Sequence, residues 1–125
     1  ARAALEVAIK YAKEREAYGK PISTLQAVSF DLADMAMQVE VARQFTLHAA
    51  RMNDAGLPCI KEAAMAKLFA SEMAEKVCSD AIQVLGGYGY VNDFPVERYY
   101  RDVRVTKIYE GTSHIQKLII AREIL

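Results

Sequence analysis

Residues 25–56, LQAVSFDLADMAMQVEVARQFTLHAARMNDAG, decide the fold class. Within them Val28, Leu32, Met35, Val39, Ala42, Thr46 and Ala49 recur at steps of three and four, the spacing that lines one face of an α-helix. Phe30, Ala33, Met37 and Val41 add apolar surface elsewhere on the same rod, so more than one of its sides is expected to be covered. Nothing breaks the pattern before Gly56, and a helix of about 30 residues is roughly 45 Å long. Ser23 or Thr24 is placed to cap its start by accepting a hydrogen bond from a free backbone N–H.

The same rhythm continues on both sides. Upstream, Leu5, Ala8, Ile9 and Ala12 form one apolar face of a helix over residues 1–17, which Gly19 and Pro21 end. Residue 1 is alanine and this pattern runs from the outset without a capping residue. The expectation is a piece of a longer polypeptide, with proteolytic processing as the alternative. Downstream, Pro58 suits the opening of a third helix, where a missing N–H costs nothing. That helix runs to Leu85 through Ala63, Ala64, Met65, Ala66, Ala70, Met73 and Ala74, small enough for close helix approach, and Gly86-Gly87 closes it. Residues 86–94 form a glycine-rich loop, Pro95 opens a short helix to Arg101, and residues 103–109 are β-branched and ambiguous. Thr112 or Ser113 caps a last helix carrying Ile115, Leu118 and Ile119. No strand pair and no Asn-Gly turn is expected. The sequence therefore predicts one all-α domain over residues 1–125, an up-and-down antiparallel four-helix bundle with short links.

Composition excludes several function classes. With 16 basic and 16 acidic residues the formal net charge is zero, which gives no support to nucleic-acid or anionic-membrane partners. No apolar run reaches the ~18 residues of a membrane span, and no signal peptide is visible. Cys59 and Cys78 match no metal or redox spacing; no metal site is expected, and both cysteines read as buried, reduced core thiols. His48 reads as a surface or interface histidine. Glu62, Glu72 and Glu75 read as solvated helix charges among lysines.

Chemistry is sought in the loops. The run Gly86-Gly87-Tyr88-Gly89-Tyr90 could let a backbone approach a ligand or could simply end a helix; it lacks the strand-then-helix context of a phosphate-binding glycine loop. Glu110 stands beside Gly111 just ahead of a helix start. Residue type alone leaves it as a helix-start acid or as a general base whose pKa burial in a cavity would raise.

Taken together, these segments resemble one family. Residues 11–22, YAKEREAYGKPI, are similar to the stretch of acyl-CoA dehydrogenases that ends a helix with Glu-Arg-x-x-aromatic-Gly-Lys, with Gln26 at the matching distance. Residues 80–90, DAIQVLGGYGY, resemble its Gln-hydrophobic-hydrophobic-Gly-Gly-x-Gly motif. Pro95-Val96-Glu97-Arg98 and Arg101-Asp102 match the next segment, and residues 108–116, IYEGTSHIQ, resemble its catalytic loop. The match runs in order over nearly the whole chain.

The resemblance implies the C-terminal helical domain of a three-domain FAD flavoprotein that oxidises acyl-CoA thioesters to trans-2-enoyl-CoA. Glu110 would remove the α-proton while the β-hydrogen passes to the flavin, and the Glu110 N–H would help polarise the thioester carbonyl. Tyr109 and Gly111 would meet substrate. A glutamate at this position favours the short- and medium-chain arrangement over members whose base would lie upstream. The family's FAD crosses a dimer interface, so Arg15, Tyr18, Gln26, Gln83, Gly86 and Gly87 would serve the neighbour's FAD, while Thr112 and His114 would touch the subunit's own. Ala17 replaces a common polar residue, and His114 stands where Glu or Gln is frequent, bringing a pH-dependent donor. Implied partners are acyl-CoA, electron-transfer flavoprotein and further copies in a dimer or tetramer, in the cytoplasm of a bacterium or the mitochondrial matrix of a eukaryote. The alternatives are a non-catalytic helical module and a related acyl-CoA reductase or decarboxylating dehydrogenase. Alone, this chain is expected to be inactive, to bind FAD weakly or not at all, and to expose apolar faces that other domains would cover.

Overall fold

One helix, Ile60–Leu85, organises the computed structural model, which describes all 125 residues. The helices are α1 (Arg2–Glu14), α2 (Gln26–Asp54), α3 (Ile60–Leu85), α4 (Val96–Val103) and α5 (Ser113–Ile124). α3 packs against all four others, and α1 also touches α2 and α4. The all-α reading holds, with the short α4 added to four longer helices.

Small residues set the closeness of this packing. Ala4, Ala8 and Ala12 of α1 are wholly buried and join Val77, Cys78 and Ala81 of α3 in one core cluster with Met35 and Val96. Alanine at the contact lets two helix backbones approach without losing side-chain rotamer freedom. The apolar face expected on α2 is the packed one: Met35, Ala42 and Ala49 are buried, and Val28, Leu32 and Val39 lie partly buried against the core. The further apolar residues of α2 are uncovered in this chain, with Phe30 63% and Met37 57% exposed. Only 19 of 125 residues are buried, so much of the apolar surface lies outside the core.

Several boundaries differ from the sequence expectation. α1 stops at Glu14 because Arg15 turns extended, and residues 16–21 form a minimal hairpin, Glu16–Ala17 against Lys20–Pro21. This strand pair was not expected. Its two-residue loop is Tyr18-Gly19, both at positive φ (54° and 76°), the twist that tight antiparallel hairpins require. A tyrosine in the position usually given to Asn or Asp hides that signal. Neither Ser23 nor Thr24 caps α2: Leu25 occupies the cap position without a side-chain bond, and the Thr24 hydroxyl donates to the Pro21 carbonyl at 2.7 Å. α3 begins two residues after Pro58, since the Cys59 carbonyl accepts the first helical bond from Ala63 N–H at 2.8 Å. Cys59 is therefore half-buried ahead of the helix, while Cys78 is buried within it, where burial pushes its thiol pKa up. The ambiguous residues 103–109 close α4 and continue as a 3₁₀ turn, Arg104–Lys107.

Gly89 marks the tightest approach. A Cβ there would lie 2.6 Å from the Ile82 carbonyl oxygen and 2.8 Å from its Cα, both backbone atoms of α3. Gly89→Ala is expected to force loop and helix apart at a cost of about 1–3 kcal/mol, the usual scale of overpacking. Chemical denaturation of the two proteins checks this, and equal midpoints would contradict the contact.

Candidate functional site

Between α4 and α5 the chain crosses the middle of α3 in a short irregular segment. Glu110 has φ 50° and Gly111 φ 95°. Positive φ is costly for a residue with a Cβ, on the order of 1 kcal/mol or more, and persists where the surroundings fix it. A side chain at Gly111 is disfavoured by its φ, and its Cβ would displace the Gln116 amide nitrogen, 2.6 Å away. Thr112 then caps α5, its hydroxyl oxygen accepting from Ile115 N–H at 3.3 Å; of the two cap residues read from the sequence, it is Thr112 that acts.

The turn is fastened to α3 and α5. Lys67 Nζ donates to the Gly111 carbonyl at 2.7 Å. The buried Gln116 donates its amide to the same carbonyl at 3.1 Å and, at 3.4 Å, to that of Glu110. On the flanks, Lys107 Nζ lies 2.7 Å from both Glu72 Oε2 and Glu75 Oε2, and Ser113 Oγ donates to Glu72 Oε1 at 2.7 Å. Glu75 Oε2 is shielded from solvent and has the Lys107 ammonium as its counter-charge. Arg104 adds a looser contact to Glu75 at 3.5 Å.

Glu72 and Glu75 are thus not free helix charges: they tie the segment down from both sides. Hydrogen bonds from Lys107, then Ser113, lower the Glu72 pKa, and bonds to Glu72, then Glu75, raise that of Lys107. Glu62, also expected to be a solvated helix charge, is partly buried in the first turn of α3 beside Lys61 at 3.3 Å, and its pKa is lowered chiefly by a backbone N–H.

Glu110 opens onto a cleft of about 240 Å³ bounded by Lys67, Ala70, Ser71, Ala74, Thr106 and Tyr109. The two alanines and a serine give it a smooth floor on α3. Its carboxylate is exposed, so the burial expected around it is not supplied by these 125 residues, because the cleft is open on the side away from α3. The Glu110 N–H donates to no acceptor in the chain. One residue therefore presents a free carboxylate and a free backbone donor at the same turn. Of the two residues expected to meet substrate, Tyr109 lines the cleft and Gly111 does not.

A second cleft, of about 650 Å³, lies at the far end of α3. Arg15, Gln83, Gly86 and Gly87 meet there with Tyr11, Tyr88 and Asp93. Residues 74 and 84 of α3 are about 15 Å apart along its axis, so the sequence-predicted cofactor residues fall into two groups. Gly86 has φ 61°, and neither Gly86 nor Gly87 has any atom within 4 Å of a would-be Cβ: backbone faces open space there, as close approach of a ligand needs. The Arg15 guanidinium sits 5.8 Å over the Tyr88 ring, and Tyr11 and Tyr88 both pack edgewise or tilted against Phe94 or each other. This donor set suits a phosphate-bearing aromatic cofactor, although Asp93 adds one opposing charge. Tyr18, 92% exposed at the hairpin tip, and Gln26, exposed at the start of α2, do not line the cleft. Thr112 and His114 belong with Glu110 at the start of α5; His114 is exposed.

A third groove, about 700 Å³ and largely apolar, runs between α2, α3 and α5 past Phe45, Leu68, Phe69 and Ile120. It contains none of the catalytic, substrate or cofactor residues expected from the sequence. No cluster of three or more His, Cys, Asp or Glu residues could hold a metal ion, and no helix is long and apolar enough to cross a membrane. His48 is exposed and stacks on Phe45 at 5.9 Å.

Sequence reasoning missed Lys67, Glu72, Glu75, Lys107 and Gln116 as parts of the site. Lys67 and Glu72 act on residues more than 40 positions away, which no local pattern reveals. Gln116 could have been suspected from its place six residues after Glu110.

The whole chain, residues 1–125, matches the family model "Acyl-CoA dehydrogenase, C-terminal domain". It is 54% identical to the mitochondrial short-chain specific acyl-CoA dehydrogenase of Homo sapiens, over 100% of this chain and 30% of that protein. It is 50% identical to the acryloyl-CoA reductase (NADH) of Anaerotignum propionicum, over 100% of this chain and 32% of the relative. The butyryl-CoA dehydrogenase structure from Megasphaera elsdenii superposes with a TM-score of 0.96 at 43% identity, covering 98% of this chain and 32% of that one. The chain thus spans about a third of the length of these relatives.

The Glu72 contacts have a pH signature. A carboxylate whose pKa is lowered in the fold stabilises it above its unfolded pKa and loses that contribution as pH falls through the lowered value. Glu72→Gln is therefore expected to cost up to about 1 kcal/mol at neutral pH, the scale of a partly exposed ion pair. Denaturation midpoints of the two proteins should converge in acid, and a gap that persists there would contradict the ion-pair account.

Proposed function

The chain belongs to the acyl-CoA dehydrogenase family, and from that membership we propose that it is the C-terminal helical domain of a longer three-domain FAD flavoprotein that converts acyl-CoA thioesters to trans-2-enoyl-CoA. The observation that carries the proposal is the pairing, at one left-handed turn, of the Glu110 carboxylate with the unused Glu110 N–H.

An α-proton beside a thioester becomes removable when charge on the carbonyl oxygen is stabilised as it develops. A fixed N–H donor aimed at that oxygen supplies such stabilisation without reorganising, and counts for most where water is excluded. A carboxylate on the same turn takes the proton. The small residues Ala70, Ser71 and Ala74 leave the cleft room for an acyl chain, with Tyr109 beside it. Bound acyl-CoA and the remainder of the protein would close the open side of the cleft and exclude water from Glu110. FAD would supply the two-electron acceptor at the β-carbon.

For that cofactor, Arg15 would meet the pyrophosphate as a bidentate cation, and Gly86 and Gly87 would let it approach the backbone of the second cleft. Gln83 would hydrogen-bond within it. Tyr18 and Gln26 would reach it from the hairpin and the start of α2. As the family resemblance implies, Thr112 and His114 would serve one FAD and the α3 end the FAD of a neighbouring copy, making the protein at least a dimer. Electron-transfer flavoprotein is the proposed acceptor of the electrons, in a bacterial cytoplasm or a mitochondrial matrix. Short acyl chains are the proposed substrates, on the likeness to a short-chain specific dehydrogenase and a butyryl-CoA dehydrogenase. The likeness to an acryloyl-CoA reductase favours, as a second reading, the same site run in the reducing direction.

The test is anaerobic mixing of the full-length flavoprotein with butyryl-, octanoyl- and branched acyl-CoAs while flavin absorbance is followed. Bleaching by butyryl-CoA, slowed about 10²-fold or more in Glu110→Gln, is the expected outcome for loss of a general base. Undiminished bleaching in the variant would place the base elsewhere. Failure of every acyl-CoA alongside bleaching by NADH would favour the reductase reading.

A further inference from the structure

Resting on the reading of Glu110 as the base, we propose that Lys67 and Gln116 are positioning residues that hold its turn in the reactive arrangement. Glu110 sits at φ 50°, a conformation its own side chain disfavours. The alternative extended backbone would swing both the carboxylate and the N–H away from the cleft. What opposes that swing is visible in the donors behind the turn. The Gly111 carbonyl accepts from Lys67 Nζ at 2.7 Å and from Gln116 Nε2 at 3.1 Å, and the Gln116 amide also reaches the Glu110 carbonyl at 3.4 Å. Both peptide planes after Glu110 are thereby held by donors from α3 and α5.

Each donor has little other use. Gln116 is buried at 6% exposure, and a buried amide left without acceptors costs about 1–3 kcal/mol. Its acceptors here are the two turn carbonyls. Lys67 is half-buried on α3 and has no carboxylate partner; its ammonium is spent on a backbone carbonyl, a charge-assisted bond stronger than one between neutral groups. Gly111 completes the fit, because the space a Cβ would need is filled by Gln116. Lys67 lies on the rigid central helix and Gln116 on the helix that the turn itself opens. The turn is therefore referenced to the same scaffold as the cleft floor.

The experiment uses the full-length FAD-loaded protein and anaerobic stopped-flow reduction by butyryl-CoA, with rates taken per bound flavin. Wild type, Lys67→Met, Lys67→Arg, Gln116→Met and Glu110→Gln are compared, with flavin content and thermal midpoint measured for each. Lys67→Met and Gln116→Met are expected to lower the rate at saturating substrate roughly 10–100-fold, the scale of a misplacement of about 1 Å, with the half-saturating concentration unchanged. Lys67→Arg, which keeps a cationic donor, is expected to recover most of the rate. Wild-type rates per flavin in Lys67→Met and Gln116→Met beside an inactive Glu110→Gln would overturn the positioning role alone, including where flavin content or thermal midpoint falls. A Glu110→Gln protein reduced at the wild-type rate would instead overturn the base assignment beneath it.

Discussion

The packing of α3 against every other helix is the constraint from which the remaining geometry follows. Alanines on α1 and on α3 bring the backbones close, and Gly89 lets the loop after α3 rest directly on Ile82. A helix packed against four neighbours cannot shift to suit one of them, so side chains projecting from it are fixed reference points. Both candidate clefts are built on this one rod, one at its middle and one at its C-terminal end.

What the middle of α3 contributes is mostly electrostatic. Lys67, Glu72 and Glu75 form a polar edge over which the irregular segment before α5 is laid. Individually such partly exposed ion pairs are weak, yet here they act on one short stretch. Lys107 and Ser113 are tied at its ends and Gly111 between them. A left-handed glutamate is affordable in that setting because the chain on either side cannot relax. Glu110 itself stays exposed at this turn.

Helix content was legible because the three-and-four spacing on α2 and the alanine-rich α3 carry it locally. The glycines at 56, 86 and 87 and Thr112 gave the punctuation. The hairpin at Tyr18-Gly19 was not legible, since a tyrosine at positive φ has no sequence signature. The α2 cap was misread because the Thr24 hydroxyl turns back to Pro21 rather than forward to the helix. The motif around Glu110 was visible, but the residues that hold it were not. Glu72 and Glu75 look like any surface glutamates until the segment that crosses them, more than 30 positions later, is in place. Of the residues expected to serve a cofactor, Thr112 and His114 lie by the middle of α3, and Arg15, Gln83, Gly86 and Gly87 by its C-terminal end.

The claim at the centre is that Glu110 takes a proton from the carbon next to a thioester. Acetyl-CoA isolates that step, because it has α-hydrogens and no β-carbon to oxidise. The measurement is the exchange of its methyl protons with D₂O, followed by NMR, in the presence of the full-length FAD-loaded protein. Exchange catalysed by the wild type and reduced to the uncatalysed rate in Glu110→Gln is the predicted result. Equal exchange by the two proteins would contradict the account.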